Sequence, residues 1–147
     1  MIGKILVAYD TEELSKKALD IAVQMAKSQN AEIHIVTSVK IPDYLFFNMP
    51  FGGDSTAFAD LDDNIRADYE KKLIEAGEKV KAEGVPVKTA FFKENPGEAI
   101  VNYADKEQVD LIIIGSHNRK GLFKAVLGSV SNYVVYHAQC AVMVLKA

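Results

Sequence analysis

Between Leu111 and Ser131 the chain reads L-I-I-I-G-S-H-N-R-K-G-L-F-K-A-V-L-G-S-V-S, and the chemistry that this order of residues suits is the holding of an anion. Four apolar residues, Leu111 to Ile114, have the signature of a strand buried on both faces, and the pattern breaks at Gly115. His117, Arg119, Lys120 and Lys124 follow with no carboxylate among them, and the segment closes on Gly128 and Ser129, where a hydroxyl-capped helix can start. Glycines let a backbone come close to a ligand, amides at a helix N-terminus point at it, and the helix dipole and nearby cations favour negative charge. From Leu111 onward there are four basic residues and no acidic one, while the preceding part of the chain holds all 20 acidic residues and 13 of the 17 basic ones. A solvated basic loop would give the same count, so the glycine spacing has to decide.

Other residues with chemical potential are scattered. Asp10 follows an apolar run and fits two roles, a helix cap or a carboxylate facing a ligand from a strand end. His117 is either a phosphate donor or a plain exposed side chain. His34 lies within a strand pattern and His137 near a helix C-terminus, where structural explanations suffice. Cys140 reads as a small buried residue, with only His137 near enough in sequence to favour a thiolate. No set of His, Cys and carboxylate residues has metal-ligand spacing.

These residues need strands and helices to position them. Ile5 to Tyr9 form a first buried strand, and Asp10-Thr11 supply oxygens to cap a helix whose stripe is Leu14, Ala18, Ala22, Met25 and Ala26. Ile33 to Val39 form a second strand, and a helix between two such strands implies a parallel pair with a right-handed crossover. From about 41 to 64 the periodicity disappears in a stretch with two prolines, two glycines and five aromatics. So long a connection, aromatic rather than merely polar, is expected to contact a partner subunit or cover a ligand.

A stripe of Ile65, Tyr69, Leu73, Ala76 and Val80 follows, capped by Asp62 to Asn64 and ended by Gly84, with Gly77 costing roughly 1 kcal/mol inside it. Val85 to Phe92 form a third strand whose Pro86 suits a start or an edge. Asn95-Pro96-Gly97-Glu98 supplies a cap, a proline at the first helical position and an acid able to close a capping box. After the Leu111 strand and the basic loop come a helix from Ser129 to Ala138 and a strand from Ala141 to Leu145.

Five strands alternating with four helices give the fold class: α/β, a doubly wound, five-stranded parallel open sheet with helices on both faces, Rossmann-like in type. At 147 residues the chain is expected to be one domain, residues 1–147. A net charge of -3 gives no reason to expect nucleic acid or a membrane surface as the main partner. One cysteine excludes an internal disulfide, and the opening apolar run is too short for a signal peptide or membrane span, so a cytoplasmic location is expected.

The motif from Gly115 resembles that of the universal stress protein family, whose ATP-binding members carry glycine, two residues, glycine, nine residues, glycine and then serine or threonine after the fourth strand. Here the series is Gly115, two residues, Asn118, nine residues, Gly128 and Ser129. Asp10 after strand one, Val39 at the end of strand two, the E-N-P-G-E-A-I turn and the final helix and strand agree with it along nearly the whole chain. The resemblance implies an adenine nucleotide alpha hydrolase-like sheet in which strands one and four are adjacent. It implies that Ala8 and Val39 flank an adenine, that Ile114 and Gly115 face the nucleoside, and that Ser116, His117, Asn118, Gly128, Ser129, Val130 and Ser131 lie around phosphates. Asp10 would lie near the ribose or the phosphate-bound Mg²⁺, the ligand would be ATP or another adenine nucleotide, and a homodimer would form through Ala141 to Leu145. The chain departs from the pattern at Asn118, at Asp10-Thr11-Glu12 in place of Asp-Gly-Ser, and at Ala141 where proline is common.

The function implied is that of a cytoplasmic, nucleotide-dependent stress or regulatory dimer rather than an enzyme. Two alternatives stand beside it: a slow ATPase, for which no obvious base beyond Asp10 is offered, and a dimeric interaction module without nucleotide. A receiver domain needs an aspartate where this chain has Phe92-Lys93-Glu94, and a flavodoxin-like carrier needs aromatic-flanked flavin loops beyond two further strands, whereas only the 41 to 64 segment is rich in aromatics.

Overall fold

The structure is a computed structural model that describes residues 1–40, 55–116 and 127–146, the side chains of 55–61 excepted. In chain order the elements are β1 (Lys4–Ala8), α1 (Glu13–Gln29), β2 (Glu32–Ser38), α2 (Ser55–Ala82), β3 (Val87–Phe92), α3 (Pro96–Glu107), β4 (Leu111–Ser116), α4 (Ser129–His137) and β5 (Ala141–Lys146). All four strand pairings are parallel, in the order β3-β2-β1-β4-β5. The order reverses between β1 and β4, which places a crevice beyond their carboxyl ends.

Alternation along the strands builds two cores. Ile5, Val7, Ile33, Ile35, Leu111 and Ile113 face α1 and α2, meeting Ala18, Leu19 and Ala22 from the one and Leu73, Ala76 and Val80 from the other. Leu6, Val36, Ile112 and Ile114 face the opposite way, onto Ile100, Val101 and Ala104 of α3 and Val134 of α4. Each fully buried branched aliphatic side chain contributes about 1.5–3 kcal/mol, so these central strands dominate stability. Helices therefore cover both faces, as the run of apolar strands requires.

The stretch read as a loop at about 41–64 divides. Residues 41–54 lie outside those described, but 55–64 are helical, so α2 begins between two and three turns before the Asp62-to-Asn64 cap suggested. Asp and Asn inside a helix cost only about 0.5 kcal/mol each, and Asp62 recovers something by an ion pair with Lys93 after β3. Gly77 has a packing reason: a Cβ there would sit 3.0 Å from Thr89 Cγ2 on β3. Gly84, at φ +78, closes the helix in the left-handed conformation.

Other caps differ in detail. Asn95 accepts the Glu98 amide at 3.3 Å with Pro96 at the first position, but among the described residues no bond returns from the Glu98 carboxylate, so half of the capping box forms. The residue at the N-cap of α1 is Glu12, not Asp10 or Thr11, and at α4 it is Gly128, not a serine; neither makes a side-chain cap bond. Asp10 instead accepts the Glu12 amide at 2.9 Å, one step before the helix, across a turn in which Thr11 takes φ 72. Asp110, just ahead of β4, accepts the amides of Gly3 and Lys4 at 2.8 and 3.0 Å and ties the start of β1 to β4.

Candidate functional site

At the β1/β4 switch point the carboxyl ends of three strands and the starts of three helices enclose a cavity of about 1000 Å³. Ten of the residues singled out from the sequence line it: Ala8, Asp10, Val39, Ile114, Gly115, Ser116, Gly128, Ser129, Val130 and Ser131. His117 and Asn118 lie outside the described residues, as do Arg119, Lys120 and Lys124. Glu12, marked from the sequence as a departure from the family's pattern, lines the cavity too, and the remaining wall comes from residues that the sequence did not mark for the site. Val36, Thr37, Ser38 and Lys40 could have been found from the rule that strand ends meet in the crevice, whereas Tyr69 of α2 and Ile100 of α3 carry no local signal.

One end of the cavity is apolar, with Ala8, Val36, Val39, Ile100 and Ile114. Its shape is held by backbone bonds: Tyr9 N–H donates to Val36 O at 2.9 Å, Val39 N–H to Phe92 O at 3.0 Å, and the buried Thr37 hydroxyl to Tyr9 O at 2.7 Å. The other end is the start of α4. The first bond inside that helix runs from Asn132 N–H to Gly128 O at 2.9 Å, so the amides of Ser129, Val130 and Ser131 have no acceptor within the helix. Such a terminus carries roughly half a positive charge and suits an anion.

The serines are not equivalent. Ser116, at the end of β4, accepts the Gly128 amide at 3.1 Å and so joins the end of β4 to the start of α4. Ser131 is buried and donates to Gly128 O at 3.0 Å. Ser129 alone of the three is exposed at the crevice. Gly115 also has a reason beyond a ligand's approach, because a Cβ there would lie 2.7 Å from Leu14 Cβ; its bare backbone lets α1 close onto β4.

Asp10 and Glu12 bring two carboxylates to the cavity and Lys40 one ammonium. Among the described residues no group of three or more His, Cys, Asp or Glu is placed to hold a metal ion. His34 is fully buried on β2, with Nδ1 2.7 Å from the Tyr103 hydroxyl and Nε2 2.7 Å from Glu32, which holds that carboxyl below its ordinary range. His137 stacks on Tyr133 with ring centroids 4.0 Å apart and bonds its carbonyl, and burial pushes the Cys140 thiol up. All three are accounted for by packing and hydrogen bonding, away from the crevice.

Residues 1–146 match the universal stress protein family. The chain belongs to that family. The universal stress protein YxiE of Bacillus subtilis is 32% identical over 154 residues, a match covering 99% of this chain and 100% of that one. Among solved structures, MJ0577 of Methanocaldococcus jannaschii superposes with a TM-score of 0.82 at 25% identity, over 100% of this chain and 97% of that one. A universal stress protein solved in complex with cAMP gives 0.67 at 23% identity over 98% and 96% of the two chains, and one from Archaeoglobus fulgidus solved in complex with dAMP gives 0.66 at 19% over 99% and 98%.

Within this universal stress protein the first turn explains one departure in physical terms. The family's Asp-Gly-Ser places glycine where Thr11 stands, and Thr11 adopts φ 72, the region glycine enters without cost and a β-branched residue enters least readily. The strain of that conformation is carried by the backbone at Thr11. Glu12, in the serine position, turns a hydroxyl into a second carboxylate on the cavity wall.

Proposed function

We propose that this universal stress protein binds an adenine nucleotide in the crevice between β1 and β4, ATP with Mg²⁺ in the first instance, and acts as a nucleotide-dependent stress or regulatory dimer in the cytoplasm. The observation that carries the reading is the polarity of the crevice: an apolar end at Val36, Val39, Ile100 and Ile114, and an anion-favouring helix terminus at Ser129 to Ser131. A base stacks in the first and a phosphate lies on the second. The cAMP and dAMP complexes of family relatives support an adenine ligand.

Two carboxylates beside a polyphosphate repel it unless a divalent cation stands between, so Asp10 and Glu12 fit a nucleotide bound together with Mg²⁺. Asp10, with one oxygen turned to the Glu12 amide at 2.9 Å, is the residue assigned to that cation's neighbourhood. Beyond the Asp10 and Glu12 carboxylates no base is apparent among the described residues lining the crevice, and the role assigned is binding rather than turnover. The dimer is assigned to the β5 edge, Ala141 to Leu145, where a parallel sheet ends in apolar residues that are half-buried at best.

Mass spectrometry of protein purified without added ligand, with calorimetry against ATP, AMP and cAMP in the presence and absence of Mg²⁺, tests the reading. Replacing Gly128 and Ser129 together by valine should abolish ATP binding while leaving the oligomer intact. Unchanged affinity in that variant would remove the phosphate assignment. Linear phosphate release that depends on Asp10 would instead favour a slow ATPase, and no nucleotide bound under any condition would favour an interaction module.

A further inference from the structure

A second cavity, of about 500 Å³, opens between α1 and α2 on the far side of the β1–α1 turn. Its floor is Tyr9, Leu19 and Ala76. Tyr9 is 9% exposed, and its hydroxyl makes no hydrogen bond among the described residues. Burial first, and then the charges of Asp10 and Glu75, push its ionisation upward, so it is a neutral phenol. A hydroxyl at the floor of a cavity with no protein partner is available to hydrogen-bond a molecule placed there.

The walls carry an ordered set of charges. The strands are all parallel, and α1 and α2 each return on the same face of the sheet, so the two helices run side by side in the same direction. Along α1 the residues lining the groove are Glu13, Lys16 and Asp20; along α2 they are Lys72, Glu75 and Lys79. The rows have the same three- and four-residue steps and opposite signs at each step. Farther along, Lys27 and Glu83 close the same interface with an ion pair. Among the described residues no ion pair joins the rows within the cavity itself, where Lys72 turns aside to Asp68 at 3.1 Å.

We propose that this groove is a second ligand site, taking a small zwitterion of the free amino acid class. A molecule with one charge can pair with only one of two facing groups and leaves the other without a complement. One that carries an ammonium and a carboxylate finds a complement for each on opposite rows, and its remaining polar group meets the Tyr9 hydroxyl. The cavity lies in the lower half of the range of ligand pockets, about 300–1,000 Å³, and admits a molecule of this size. The turn 10–12 is the shared wall: Asp10 and Glu12 line the nucleotide crevice, Thr11 and Glu13 the groove, and Tyr9 borders both.

The test is amide NMR of the full chain titrated with millimolar glycine, L-serine, L-glutamate and L-lysine, with acetate and methylammonium as singly charged probes. At least one amino acid should give saturable shifts at Thr11, Leu19 and Ala76, and the singly charged probes should bind roughly tenfold more weakly. Tyr9→Phe, which removes only the hydroxyl, should weaken binding roughly fivefold. Lys79→Gln should weaken it likewise while the ATP titration followed at Val39 and Gly128 keeps the wild-type curve. The proposal is overturned if no amino acid saturates those amides, if acetate or methylammonium binds as well, if Tyr9→Phe binds like the wild type, or if ATP displaces the amino acid. A chain that fails to bind ATP leaves this titration unaffected, so the two assignments fail separately.

Discussion

Single side chains set the geometry of the crevice, and several do so at measurable cost. Thr11 holds φ 72 in the turn that carries Asp10, a conformation costing an L-residue with a branched Cβ roughly 1–2 kcal/mol. Thr11→Gly removes that strain and adds unfolded-state entropy, so a net gain of about 0.5–1 kcal/mol in urea denaturation is the expected outcome. Asp110 is the opposite case, a carboxylate that contributes by accepting two amides. Those bonds hold its pKa below the ordinary 3.8, so its contribution is present above that value and is lost as the pH falls through the lower, folded-state value. Asp110→Ala should therefore destabilise the chain by about 1 kcal/mol at neutral pH, and the difference from wild type should vanish under strong acid. Residues of this kind were only partly legible in the sequence. Gly115 announced itself as an anion-loop glycine, yet the contact that forbids a Cβ there is with Leu14, a hundred positions earlier, and no local pattern encodes that distance.

At the scale of elements, strands were more legible than helix ends. Apolar runs such as Leu111–Ile114 and Ile33–Val36 can only be buried, so each strand and the parallel class of the sheet followed from composition and alternation, whereas the adjacency of β1 and β4 was implied only by the resemblance to the universal stress protein family. The start of α2 was not legible, because Asp62-Asp63-Asn64 make a good cap motif and cost little inside a helix, and the ion pair of Asp62 with Lys93 is a tertiary contact that no local pattern encodes. The caps of α1 and α4 shifted by one or two residues for a similar reason, since Asp10 spends its oxygen on the turn and Gly128 needs no side chain at the N-cap. Packing between helices gives a prediction at this scale. Gly97 on α3 lies against Tyr133 of α4, and a Cβ would stand 2.7 Å from the ring. Gly97→Ala must push α4 outward, at a cost of about 1–3 kcal/mol, and should weaken ATP binding because the amides at the start of α4 move with it. Gly97→Ala combined with Tyr133→Leu should restore most of both, read by denaturation and calorimetry on the same samples.

For the whole molecule the decisive asymmetry is between the two edges of the sheet. β3 is guarded, with Pro86 ahead of it and Lys88 and Thr89 exposed along it, features that discourage pairing with another chain. β5 has no such guard: between Ala141 and Lys146 every residue is apolar, and α4 beside it leaves Val135 45% and Tyr136 83% exposed. An unguarded apolar edge next to an exposed aromatic is what a self-pairing surface needs, and a two-fold pairing of β5 with β5 of a second copy would cover it with one self-complementary patch. Sedimentation should accordingly give twice the 16.2 kDa chain mass at micromolar concentration. Tyr136→Glu adds a charge to a side chain that packs on little within one chain, so it should shift the equilibrium toward monomer by roughly tenfold or more without lowering the monomer's stability. A chain that sediments as a monomer throughout, or a Tyr136→Glu variant that dimerises like the wild type, would take this edge out of the assembly.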